Sequence, residues 1–558
     1  MGELEDWQNT ANRFALAGDY RSMRAAAHEA LTLAPQNATA QAMVAEASLF
    51  LGERAKAMVA LEKAEQNNAE PCLRVSLVRA YLAAMRFALE EEIPTLLAIV
   101  QQTADDAHQG YYERYRALGM LADAYLLAGE PEKAMHALLQ LSDLVQDREE
   151  AASLYSKALF CSNYRRRPQA EALRLACGYQ SFFTNSPSLH VPPPSRNKRK
   201  FRIGYLSPDF RWHAVAHFLT PFLRDFDGRT FDVFCYALNE KTDAVTHYFQ
   251  KFPVHWRNLA QTSPSTAAKR IANDHVDILI DLAGHTEGTG LALLARHLAP
   301  VQMSAIGYVA TTGLDAVRYF LSDTTCNPAP RDFTERVLKL PHSHLCYCPD
   351  FKTIPAVTKE LPALRKGYVT FASFNNFAKV SVEVLSLWRE ILTLAPTAHL
   401  ILKAKTLSIA AGRALAEEKL KKAGLPLDRI ELRPFSPDYL EQYADVDLAL
   451  DTFPYNGGLT TCEALYMGVP VVTLRGQTHG ARFGASILSN LDLPEFVVDN
   501  EADYVGRALY FSHALQRLQE IRSTLRARME ASPLMDAKGY MRDVEALYRK
   551  LIATPVLP

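Results

Sequence analysis

Asp451-Thr-Phe-Pro-Tyr-Asn-Gly-Gly-Leu-Thr-Thr-Cys-Glu463 closes a strand-like apolar run and opens a helix-like one. Two glycines and two threonines stand where strand gives way to helix. The first N–H groups of a helix lack internal acceptors, and its dipole is positive at that end, so such a turn is a ready anion site. Gly457, Gly458, Thr460 and Thr461 are the residues placed to meet phosphate. Glu463 lies in the same helix, within reach of a sugar hydroxyl if a nucleotide docks there. The stretch reads as half of a nucleotide-diphosphate site.

Working outward, short apolar runs alternate with helix-length segments. One series of strand candidates is Phe201–Leu206, Phe231–Leu238, Val276–Ala283, Val301–Tyr308 and Tyr319–Asp323. A second is Tyr368–Phe374, His399–Lys405, Arg429–Pro434, Leu448–Tyr455 and Val469–Leu474. Runs apolar on both faces, separated by helices, mark parallel sheets in βαβ units. The two series predict an α/β region of two Rossmann-like domains, 201–348 and 367–558, facing a cleft. The proline- and charge-rich segment 349–366 joins them. Residues 181–200, with Pro192-Pro-Pro194 and a basic cluster to Lys200, have the composition of a linker, and the cluster reads as a solvated face.

Ahead of the linker, residues 1–180 carry a repeat. Trp7, Phe14, Gly18-Asp-Tyr20, Ala27, Ala30 and Pro35 follow tetratricopeptide spacing, and Gly52 follows Gly18 by 34 residues. A further copy reads Leu121-Ala-Asp-Ala-Tyr125 with Gly129, Ala134 and Leu138. Gly129 lies 77 residues beyond Gly52, so the middle copy looks stretched or irregular. Small residues let paired helices pack closely, and the stack offers a concave face for extended peptides. The array predicts a protein or peptide partner and does no chemistry itself.

At 558 residues several domains are expected, and a net charge of −1 argues against a nucleic-acid partner. No run approaches the roughly 18 apolar residues of a membrane span. The acidic start shows no signal-peptide core, and Asp6 stands where myristoylation wants Ser or Thr, so a cytoplasmic address is expected. Eight cysteines are scattered: Cys72, Cys161, Cys177, Cys235, Cys326, Cys346, Cys348 and Cys462. Cys346 and Cys348, with His342 and His344 nearby, match no standard zinc spacing and read as reduced structural thiols. Asp445-Val-Asp447 enters a buried strand and reads as turn chemistry rather than a metal ligand pair. No metal is expected.

Open α/β sheets bind ligands beyond the carboxyl ends of their strands. The first strand leads into Ser207-Pro-Asp-Phe-Arg-Trp-His213 and His217, where a histidine can take a proton from an acceptor hydroxyl. Asp281-Leu-Ala-Gly-His285-Thr286 and Ile306-Gly307-Tyr308 end the third and fourth. In the second series, Phe374-Asn375-Asn376-Phe-Ala-Lys379 presents a lysine suited to a diphosphate leaving group. Ser436-Pro-Asp-Tyr439 offers backbone groups and an aromatic face for a base.

Together these motifs resemble the O-linked N-acetylglucosamine transferases, tetratricopeptide proteins with a GT-B catalytic region, in bacterial more than animal spelling. The resemblance spans nearly the whole chain. It implies transfer of N-acetylglucosamine from UDP-N-acetylglucosamine (UDP-GlcNAc) to Ser or Thr of proteins, with inversion and no metal. Domain 201–348 then faces the acceptor and 367–558 the UDP-sugar. His213 matches the proposed base and Lys379 the residue relieving the diphosphate. Asn376, Ser436, Tyr439, Gly458, Leu459, Thr460, Thr461 and Glu463 match the UDP site. His217, His285, Thr286, Ile306 and Gly307 border sugar and acceptor. Two departures stand out: Gly307-Tyr-Val-Ala-Thr311 replaces the family's Gly-Tyr-Pro-Gly-Thr, which bears on acceptor preference, and Tyr439 replaces the usual stacking histidine. Alternatives are a related UDP-sugar protein transferase with another sugar or acceptor, a nucleotide-sugar epimerase, and a repeat scaffold on an inactive transferase fold.

Overall fold

Small residues at repeat spacing fold the N-terminal part into paired helices. The computed structural model describes residues 2–67, 72–104, 110–184 and 200–553 and divides into two compact units, Met1–Asp147 and Arg148–Pro558. In the first unit helices Gly2–Leu16, Tyr20–Leu33, Ala38–Phe50 and Arg54–Gln66 are followed by Leu73–Met85, Leu89–Gln102, Tyr111–Leu127 and Pro131–Leu144. Every pair closes alike: the N–H of Asp19, Glu53, Ala88 and Glu130 reaches the carbonyl of Phe14, Ser48, Ala83 and Tyr125 respectively. That closure needs a left-handed residue at the turn. Gly18, Gly52 and Gly129 supply it at φ 73°, 78° and 71°, but in the third pair Phe87 does so at φ 55°. The third pair thus turns regularly 35 residues after Gly52, at a non-glycine residue, and the stretch falls in the 42 residues from Phe87 to Gly129. Inside the array Arg74, 1% exposed, donates to Glu46 at 3.0 Å and Glu113 at 2.7 Å, and lies 4.2 Å from the Tyr112 ring centroid.

The second unit begins before the expected linker. Helices Arg148–Ser162 and Gln169–Gly178, assigned from sequence to the repeat domain 1–180, pack on the first sheet instead. Ala152, Leu159, Ala176 and Tyr179 share one core with Leu206, Phe234 and Leu279. Residues 185–199 of the expected linker lie outside the described residues.

All ten expected strands are present in two parallel sheets. The first holds β1 Phe201–Ser207, β2 Phe231–Ala237, β3 His255–Asn258, β4 Ile278–Asp281, β5 Val301–Ser304, β6 Tyr319–Asp323 and β7 Arg336–Leu340, in spatial order 3-2-1-4-5-6-7. The second holds β8 Thr370–Ser373, β9 His399–Lys403, β10 Ile430–Arg433, β11 Leu448–Leu450, β12 Val471–Leu474 and β13 Val497–Val498, in order 10-9-8-11-12-13. The unforeseen strands β3, β7 and β13 are three of the four outer ones, whose partly exposed residues lack the apolar run of a strand buried on both faces; the fourth, β10, was expected. Strand order reverses between β1 and β4 and between β8 and β11, the switch points where such sheets open a crevice.

The last helix, Ala537–Ala553, leaves the second lobe to which 367–558 had been assigned and covers the first sheet. Tyr548 lies buried against Phe231, its hydroxyl 3.1 Å from that of Tyr205, and the Tyr540 hydroxyl donates to the His344 carbonyl at 2.8 Å. Among the described residues no helix is long and apolar enough to cross a membrane.

Candidate active site

β11 stops at Leu450 because the buried Asp451 carboxylate folds the following loop around itself. Its Oδ1 accepts the N–H of Thr452 at 2.9 Å and of Gly457 at 2.7 Å, and its Oδ2 accepts the Thr473 hydroxyl at 2.8 Å. The Asn456 amide donates to the Thr452 carbonyl at 2.8 Å. This loop delivers helix Leu459–Tyr466, with Gly458 capping it. The Thr461 hydroxyl donates to the Gly457 carbonyl at 3.0 Å, and that of Thr460 to Asn375 Oδ1 at 2.9 Å. A Cβ on Gly457 would stand 2.5 Å from Thr460 Oγ1 and 2.6 Å from Thr461 Oγ1, so the turn closes only around glycine.

Lys379 ends a short 3₁₀ turn after β8. Its ammonium donates to the Asn456 carbonyl at 2.8 Å and lies 3.8 Å from the Tyr455 ring centroid. Burial lowers the lysine pKa while Asp451 counters it, and burial raises the Asp451 carboxyl. A cation is thus held against the turn before any anion arrives. Asn376, expected at the nucleotide, is exposed and accepts the Ala378 N–H at 3.1 Å. Its buried neighbour Asn375 meets Thr460; two adjacent asparagines look alike in sequence, and only the strand's end assigns one inward.

Glu463, buried in the same helix, accepts from Lys352 Nζ at 3.0 Å and from the Tyr439 hydroxyl. The Lys352 ammonium lies 4.0 Å from the Tyr439 ring centroid and bonds its hydroxyl. Burial raises the Glu463 pKa against the pull of Lys352. Lys352 comes from the inter-domain segment 349–366, where no spacing marks it among other charged residues. The Ser436 hydroxyl accepts from Lys403 Nζ at 3.1 Å and Gln442 Nε2 at 2.8 Å.

In the first lobe, His213 sits on the loop after β1, its Nδ1 3.3 Å from Asp209 Oδ1 and 3.3 Å from the Val215 nitrogen. Burial, then Arg211 and Lys405, lowers His213 to about 4, so the ring is neutral at pH 7. Lys405 follows β9 of the second lobe. Burial raises Asp209 to about 7. His217 is buried among Trp212, Tyr347 and Phe351, with its ring centroid 4.6 Å from that of Phe351. His285, expected to border sugar and acceptor, is 1% exposed with both ring nitrogens engaged, Nδ1 at 2.8 Å from Ser156 Oγ and Nε2 at 2.8 Å from the Thr312 carbonyl. It fastens helix Arg148–Ser162 to this lobe. The Thr286 hydroxyl donates to the Ala283 carbonyl at 3.0 Å. Ile306 bends the chain at φ 47°, and a Cβ on Gly307 would stand 1.9 Å from the Leu282 carbonyl oxygen. That bend ends β5 at Ser304, short of the expected Tyr308.

A cavity of about 640 Å³ lies beside these pieces, and neither His213, Lys379, Glu463 nor the Gly458–Thr461 turn lines it. Tyr308–Thr311 of the first lobe, Phe453–Tyr455 and Gly476–Ala481 of the second, and Arg165–Arg167 line it. The Tyr455 ring under Lys379 is one wall, and the loop carrying Val309 and Ala310 is another.

The sequence model of glycosyl transferase family 41 matches residues 181–354 and 350–544. Over 363 residues the chain is 37% identical to a tomato (Solanum lycopersicum) protein described as a probable UDP-N-acetylglucosamine–peptide N-acetylglucosaminyltransferase, SPINDLY, covering 63% of this chain and 39% of that one. It is 27% identical over 382 residues to the Arabidopsis thaliana protein SEC, of the same description, covering 66% and 39%. The chain therefore spans about 39% of the length of these relatives. Among solved structures, a mutant of the Thermobaculum terrenum O-GlcNAc transferase aligns over 99% of this chain and 97% of its own, at 25% identity and a TM-score of 0.71. With both sheets and the loops of the switch points inside the matched residues, the chain belongs to glycosyl transferase family 41.

Proposed function

We propose that this protein transfers N-acetylglucosamine from UDP-GlcNAc to Ser or Thr hydroxyls of proteins, inverting the anomeric centre without a catalytic metal. The observation that carries the reading is Lys379, an ammonium fixed on the Asn456 carbonyl beside the Gly457–Thr461 turn. The diphosphate rests on the Gly458–Thr461 turn, and as the anomeric C–O bond breaks its electron pair passes to the UDP oxygen, whose charge Lys379 and the helix end stabilise. His213, neutral in the opposite lobe, takes the acceptor proton as the hydroxyl oxygen forms the new bond. Glu463 holds the ribose, while Ser436 and Tyr439 face uracil. The relatives' descriptions support the donor and a peptide acceptor, the repeat array supports an extended acceptor segment, and the cytoplasm is the proposed site of action.

The test is incubation of the full chain with Ser/Thr peptides and a panel of nucleotide sugars, with the product anomer read by NMR. A β-linked N-acetylglucosamine on a hydroxyl, formed from UDP-GlcNAc, is expected. Turnover with a different nucleotide sugar alone, or a retained anomer, overturns the reading.

A further inference from the structure

Three side chains far apart in sequence meet where the two lobes touch. Cys326 follows β6, His344 follows β7, and His479 follows β12 of the other sheet. All three are buried, and one ligand atom from each lies within 4.8 Å of the others. We propose that Cys326 Sγ, His344 and His479 form a binding site for a divalent ion of the zinc class that ties the two lobes together.

Buried polar atoms are nearly always partnered, yet His344 Nε2 and both ring nitrogens of His479 have no hydrogen-bond partner. The other nitrogen of His344 is committed: Nδ1 stands 2.6 Å from Asp323 Oδ2, which leaves the Nε2 lone pair free. A carboxylate behind a histidine is the usual support of a metal-bound imidazole, fixing its tautomer and raising its basicity. Asp323 is itself anchored, accepting the N–H of Cys326 at 2.6 Å and of His344 at 2.9 Å, and the hydroxyl of Ser486 from the second lobe at 2.8 Å.

One thiolate and two imidazoles form a borderline-soft donor set that suits zinc. Zn–S of about 2.3 Å and Zn–N of about 2.0 Å set ligand separations of about 3.3–3.6 Å, so binding draws the three together by up to about 1.5 Å. The thiol gives its proton to solvent as the metal–sulfur bond forms. Water from the cavity that His479 lines fills the fourth position. The Cys346–Cys348 pair, weighed and set aside in sequence, belongs to no such group among the described residues. The ion lies outside the donor chemistry proposed above, whose charge relief falls to Lys379.

The test needs no turnover. The full chain is stripped with chelator and titrated with Co²⁺. One equivalent is expected to bind with a near-ultraviolet thiolate-to-cobalt charge-transfer band and the strong visible bands of a four-coordinate ion, and Zn²⁺ should displace it. Cys326→Ser loses the charge-transfer band, and His479→Phe weakens binding by about tenfold or more. Cys177→Ser, at the exposed thiol, changes neither. Stripped variants are matched to the stripped parent by thermal unfolding, and Zn²⁺ should raise the parent's Tm but not that of His479→Phe. Absence of a saturable charge-transfer signal in the parent, or its survival in Cys326→Ser, overturns the site.

Discussion

Replacing Lys379 with alanine removes a positive charge from the place where the departing diphosphate gains a negative one. Two unit charges about 4 Å apart at an effective dielectric near 20 interact by about 4 kcal/mol. The part that grows between bound donor and transition state sets the rate, and removal of one such electrostatic group costs about 10² to 10³ in kcat. The upper half of that range is expected here, because the Asn456 carbonyl and the Tyr455 ring hold the ammonium in place before the donor binds. Stability should change less. Asp451 loses its counter-charge, but burial already raises its pKa, so it takes up a proton rather than persisting as a lone anion.

Single-turnover transfer at saturating donor reads the loss, with UDP affinity measured separately by calorimetry. The pH profile adds a second readout. The active form is the protonated amine, whose folded pKa lies below the ordinary lysine value, so parent kcat falls as pH rises through that lowered value. Lys379→Ala should show no such alkaline limb. A variant within about threefold of the parent, under 1 kcal/mol of barrier, with the limb intact, would refute the assignment.

His213→Ala should lower kcat by about 10² to 10⁴, the range for loss of a general base. The base must be neutral, so activity is lost as pH falls through its folded pKa. With His213 lowered to about 4, the parent's kcat should stay flat well below the ordinary histidine value, and an acid limb near 6.5 would exclude it. Gly457→Ala drives a methyl into the Thr460 and Thr461 hydroxyls, an overpacking cost of about 1–3 kcal/mol that calorimetry should read as weakened UDP binding. Arg74→Met leaves Glu46 and Glu113 buried without their cation, a loss of about 3–5 kcal/mol visible in thermal unfolding of the full chain.

Much of this architecture is legible in the chain because its signals are local. Interior strands of parallel sheets are apolar on both faces, so β1, β4, β8 and β11 announce themselves, and the glycines at 18, 52 and 129 mark turns that need a left-handed residue. The Gly457-Gly-Leu-Thr-Thr461 turn is equally plain, since glycines and hydroxyls must follow one another for a strand to become an anion-binding helix start. Edge strands β3 and β7 stay hidden because half-exposed residues carry no such run, and Phe87 hides a repeat by taking a glycine's conformation.

Tertiary structure decided what depends on residues distant in sequence. It gave helices Arg148–Ser162 and Gln169–Gly178 to the second unit, because their apolar faces match the first sheet. It sent the last helix back over that sheet, turned His285 into a fastening, and brought Lys352 from a nondescript linker onto Glu463. It also assembled Cys326, His344 and His479 from three loops. Local spacing encodes what a segment becomes, because backbone geometry and burial periodicity act over a few residues. Which segments meet is settled only when whole faces pack, since that choice rests on shape and charge across surfaces no single stretch contains.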